Sequence, residues 1–95
     1  MKDKAEYHSV EFSVDGLPVA YQFRLWGNST KEMLILVRED SALLPRLKVG
    51  DILKMKYYPT DPRGPEEGKE TTITDIAKDG EGRFSGHSVV ALQIV

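Results

Sequence analysis

Leu47-Lys48-Val49-Gly50-Asp51-Ile52-Leu53-Lys54-Met55-Lys56-Tyr57-Tyr58-Pro59 is the stretch on which the fold turns. Gly50-Asp51 marks a turn, and an alternating strand follows it. Leu53, Met55 and Tyr57 fall on one face; Ile52, Lys54, Lys56 and Tyr58 fall on the other. One dry and one wet face is the pattern of an antiparallel sheet packed on one side only. Small barrels of this kind mostly bind a ligand or a partner, and nothing in the stretch resembles catalytic equipment.

Working outward from it, the other strands follow. Val10, Phe12 and Val14 alternate with Glu11, Ser13 and Asp15, a half-buried strand closed by the hairpin signal Asp15-Gly16. Pro18 stands where the second strand begins, a tolerated position. That strand runs to Trp26, with Val19, Tyr21, Phe23 and Leu25 on one face and Ala20, Gln22, Arg24 and Trp26 on the other. Gly27-Asn28-Ser29-Thr30 has the composition of a turn. Residues 33–38 form a third strand, apolar on both faces at Leu34, Ile35 and Leu36, which reads as central rather than edge. Residues 39–49 read either as a loop or as a short helical turn through Ala42-Leu43-Leu44, capped by Asp40 or Ser41 and stopped by Pro45.

Downstream of the fourth strand, residues 59–68 hold three prolines, two glycines and four charges, the composition of an exposed loop. Residues 71–77 are rich in β-branched side chains and form the fifth strand. Residues 78–82 are a hairpin connection, and residues 84–95 are the last strand, kinked at Gly86. Short turns and hardly any helix predict an all-β fold, a small six-stranded antiparallel barrel, with a two-sheet sandwich as the alternative. Closure also removes the edge that so apolar a third strand would otherwise present.

At 95 residues the chain is one domain. A chain of this size buries about 60–65% of its unfolded surface, enough for one modest core. Thirteen basic and fifteen acidic residues leave a net charge of −2, which argues against a duplex-DNA binder. There is no cysteine, hence no disulfide, thiolate metal site or cysteine nucleophile. Residues 1–6 lead into no apolar run and do not read as a signal peptide. The longest apolar run, residues 33–37, is far too short to span a bilayer, and the expected location is the cytoplasm.

The chemical motifs are few. The two histidines, His8 and His87, lie in separate strands without the spacing of a zinc site. No Gly-x-Ser-x-Gly elbow exists. The adjacent pairs Glu39-Asp40 and Glu66-Glu67 cannot be held as a working carboxylate dyad, since neighbours on a strand face opposite ways and a loop does not fix geometry. Gly80-Glu81-Gly82 lacks the third glycine and the helix of a dinucleotide loop. The expectation is therefore not an enzyme, with no cofactor and no metal. Of the aromatics near basic residues, Tyr21 and Phe23 share the apolar stripe with Val19 and Leu25. Tyr58, on the face of Lys54 and Lys56, is the exposed one that could stack a single-stranded base.

Taken as a series, the strands resemble the PilZ domain, the bacterial six-stranded barrel that serves as a receptor for cyclic di-GMP. The resemblance covers most of the chain. It is strongest at residues 47–59, similar to the family's central strand and its terminating proline, and at residues 82–94, similar to its closing strand. The family's ligand signature is an Arg-x-x-x-Arg element before the first strand and an Asp/Asn-x-Ser-x-x-Gly element between the second and third. Arginine forks grip phosphates and stack on guanine, while the acidic or amide residue reads the base edge.

In this chain the resemblance places Lys4 and His8 at the arginine positions, and Asn28, Thr30 and Met33 at the acid/amide, serine and glycine positions. Lysine and neutral histidine make no fork, and the Met33 side chain occupies space that glycine leaves open. At about 1.5–3 kcal/mol per charge-assisted hydrogen bond, losing two forks removes roughly 4 kcal/mol, about a thousandfold in affinity. The resemblance thus implies a bacterial, non-catalytic signalling or adaptor module in which cyclic di-GMP binding is weak or lost and a protein partner is served. Its residual ligand set is Lys4, His8, Arg24, Asn28 and Thr30. Two other readings stand beside it: a single-stranded nucleic-acid barrel using Tyr58, Lys54, Lys56 and Arg24, and a structural dimerisation module using the second-strand face that carries Trp26. Neither a membrane nor duplex nucleic acid is an expected partner.

Overall fold

The structure, a computed structural model, describes residues 6–27, 33–78 and 86–95. The strands are β1 (Tyr7–Phe12), β2 (Tyr21–Arg24), β3 (Met33–Arg38), β4 (Ile52–Pro59), β5 (Glu67–Lys78) and β6 (His87–Ile94). They form one antiparallel six-stranded sheet in the order β2-β1-β4-β5-β6-β3. The sheet curls because β5 changes neighbours along its length. Its first half pairs with β4, from Tyr57↔Glu67 to Ile52↔Thr72, and its second half with β6, from Thr71↔Ile94 to Lys78↔Ser88. A bulge between Ile73 and Asp75 sharpens the bend.

The two end strands then nearly meet. Trp26 N–H donates to the Leu34 carbonyl at 2.8 Å, and Leu34 N–H to the Trp26 carbonyl at 2.9 Å. Among the described residues this is the bridge that closes the barrel between β2 and β3. The fold is thus the expected all-β barrel, but β3 is an end strand of the sheet, not a central one. An apolar run reports burial on both faces; it does not report how many strands lie alongside.

The inner faces alternate as the sequence dictates. Val10 and Phe12, Ile35 and Val37, Met55 and Tyr57, Ile73, Val90 and Leu92 fill the core. Leu43 and Leu47 are buried with them, from the segment that follows β3. Within that segment Ser41 Oγ accepts Leu43 N–H at 3.0 Å, and Leu44–Arg46 makes a 3-10 turn. Pro45 lies inside the turn instead of stopping it, because the first N–H groups of a helical turn need no partner.

Other boundaries also differ from the sequence reading. Val14 lies beyond β1, and Val19 is 53% exposed, outside β2. Asp15-Gly16 does form a turn, closed by Leu17 N–H on the Val14 carbonyl at 3.3 Å, with Gly16 at φ 92°. It sits within the 13–20 connection rather than joining the strands directly, since pairing ends at Phe12↔Tyr21. Strand β5 starts at Glu67, so the proline-rich loop is shorter than its composition suggests. The expected turns at residues 28–30 and 79–82 lie outside the described residues.

Candidate functional site

A one-residue irregularity in β1 builds the site. Tyr7 pairs with Pro59, but Ser9, not His8, pairs with Tyr58. The extra residue is a β-bulge, which re-aims a side chain. Tyr7 is buried against Tyr57, with ring centroids 5.0 Å apart, whereas His8 is exposed. The His8 ring lies 6.5 Å from the Tyr58 ring at 27°, a stacked pair on the outer face. Its carbonyl accepts Leu25 N–H at 2.8 Å, which ties the bulge to the end of β2.

Across from it, Ser9 pairs with Arg24. Gln22 Nε2 donates to Ser9 Oγ at 3.4 Å. Arg24 and Trp26 are two positions apart and share a face, and the guanidinium carbon lies 4.4 Å from the centre of the indole ring. His8, Ser9, Gln22, Phe23 and Arg24 together line a shallow cleft of about 590 Å³. The structure thus brings two of the residues implied by the resemblance, His8 and Arg24, into one cleft. Lys4, Asn28 and Thr30 lie outside the described residues.

The polar side chains around the cleft are largely engaged with one another. Tyr58 Oη donates to Glu11 Oε1. That hydrogen bond, with the nearby Glu11 and Glu66 charges, pushes the Tyr58 phenol up to about 12. Lys56 Nζ lies 3.7 Å from Glu66 Oε2. Burial, followed by the hydrogen bond from Tyr7 Oη to Glu67 Oε1 at 3.0 Å, raises the Tyr7 phenol to about 12. A second hollow, of about 290 Å³, opens where β1 and β4 splay apart past Glu11↔Lys56. Gly68 lies on its wall, and a Cβ there would meet Lys54 Cε at 3.3 Å.

The cleft offers one arginine fork, able to hold one phosphate or carboxylate, and the exposed ring of His8, which stacks on the half-buried Tyr58. Among the described residues no group of three or more His, Asp or Glu side chains is placed to hold a metal ion. No helix among them is long and apolar enough to cross a membrane. His87 is a partly buried strand residue, and its Nδ1 has no hydrogen-bond partner among the described residues. The bulge at His8 and the Tyr58–Glu11 contact carry no sequence signal: alternation gives parity, and a bulge is a break in parity. No family model, no curated protein and no solved structure matches this chain.

Proposed function

We propose that this barrel is a non-catalytic signalling or adaptor module of the PilZ type, in which cyclic di-GMP binding is weak or lost and the working partner is a protein. The observation that supports the reading is that His8 and Arg24 line one outer-face cleft. The cleft has the location and the planar, cationic chemistry suited to a nucleotide. It has one guanidinium where the family's signature supplies two, and that guanidinium already rests on Trp26. Moving it onto a phosphate gives up that contact, which further weakens binding.

A titration with cyclic di-GMP, followed at the backbone amides of residues 6–10 and 22–26, tests this. The expected result is no saturation below millimolar ligand, with any shifts confined to those amides. Micromolar saturation, or shifts confined to another face of the barrel, rejects it.

A further inference from the structure

The outward side of an antiparallel barrel is normally polar. It is mostly so on β1, β4 and the first half of β5, where Glu11, Lys54, Lys56 and Glu70 point away from the core and Ile52, at the start of β4, is the exposed apolar exception. On β3 and β6 it is not. Met33, Ile35, Val37, Val90 and Leu92 point inward, so Leu34, Leu36, Val89 and Ala91 point outward, half-buried. Leu34 pairs with Ala91 and Leu36 with Val89. Ala91 pairs in turn with Asp75 and Val89 with Ala77, while Trp26 flanks Leu34 on the far side. One row therefore runs Trp26, Leu34, Ala91, Asp75, and beside it a second runs Leu36, Val89, Ala77.

A run of half-buried apolar side chains on an outer sheet face is surface that a partner can cover. Its margins carry opposite charges. Arg24, with its guanidinium over Trp26, stands at one side, and Asp75 stands at the other. Neither belongs to an ion pair among the described residues.

We propose that a second copy of this chain docks here, about a two-fold axis running along the strands between β3 and β6. Such an axis lays each row on its own reverse. Leu34 meets the partner's Ala91 and Leu36 meets the partner's Val89, large against small. Trp26 meets the partner's Asp75, which brings the Arg24 guanidinium resting on the Trp26 ring beside that carboxylate, once on each side. The symmetry thus matches both shape and charge without any other molecule. The contact lies on the outside of a curved sheet and includes two charge pairs at its margins, so the dimer forms at high protein concentration and weakens with salt. This inference does not depend on nucleotide binding.

Sedimentation equilibrium from micromolar to millimolar protein tests it, with circular dichroism verifying that each variant folds. The wild type is expected to dimerise and Leu36→Glu to remain monomeric. Arg24→Glu and Asp75→Arg are each expected to weaken the dimer about tenfold, and the double variant Arg24→Glu/Asp75→Arg to recover most of the loss. These charge variants lie on the surface, so they keep the test decisive if Leu36→Glu does not fold. A wild type that is monomeric at millimolar concentration overturns the proposal. So does a dimer whose two charge reversals fail to compensate.

Discussion

The guanidinium of Arg24 rests over the ring of Trp26, 4.4 Å from its centre, beside the bridge at which β2 meets β3. The same contact therefore touches both the candidate cleft and the seam of the barrel. A cation over an exposed ring contributes about 0.5–1 kcal/mol. Arg24→Ala is expected to lower stability by that amount and to change the fluorescence of Trp26, the only tryptophan in the chain. Chemical denaturation followed by tryptophan emission checks both, and unchanged emission would separate the two side chains in solution.

Tyr57 and Thr71 tie β4 to β5 inside the core. Their hydroxyls lie 2.6 Å apart and both residues are fully buried. Tyr57→Phe leaves the Thr71 hydroxyl with only its longer contact to the Lys69 carbonyl, at 3.3 Å. The expected cost is about 1–2 kcal/mol in urea denaturation. Leu43→Ala, which removes side-chain volume from the same core, should cost more, about 2–5 kcal/mol.

Alkaline pH should destabilise the fold through Tyr7. Burial and Glu67 raise its phenol from 10.0 to about 12 in the folded state. Below pH 10 both folded and unfolded chains keep the proton, so the contribution is intact. Between 10 and about 12 the unfolded chain releases the proton while the folded one holds it, so stability falls as pH rises. Tyr57, raised by burial, acts in the same direction. Thermal denaturation across this range should show a decline that is shallower in Tyr7→Phe.

Gly16 is held at φ 92°, in a region that costs an L residue about 1–2 kcal/mol. An added Cβ would also fall 2.5 Å from Arg46 Nη1, which donates to the Asp15 carbonyl. Gly16→Ala should therefore destabilise by at least the backbone term. A variant as stable as the wild type in denaturant would show that the turn can adopt another shape.

The strand content and most inward positions were legible because alternation is local. Leu53, Met55 and Tyr57 against Lys54, Lys56 and Tyr58 needed no knowledge of any other strand. Register and closure were not legible. The place of β3 at the sheet's end, and its bridge to Trp26, depend on pairing between segments whose order the sequence does not encode locally. The candidate site was half legible. Arg24 and Trp26 share a face by parity, as read. His8 shares parity with Val10 and Phe12, and only the bulge turns it outward. Glycine and charge at Gly68 and Glu70 suggest irregular chain, yet their partners are the lysines of β4.

The proposed function turns chiefly on the paired arginines of the family's signature, which this chain lacks. Introducing them tests it most directly. Calorimetry with cyclic di-GMP on the double variant Lys4→Arg/His8→Arg should show a gain of about a hundred- to a thousandfold over the wild type, the contribution of two phosphate-gripping forks. Equal heats from the wild type and the folded double variant, whether strong or absent in both, would contradict the account.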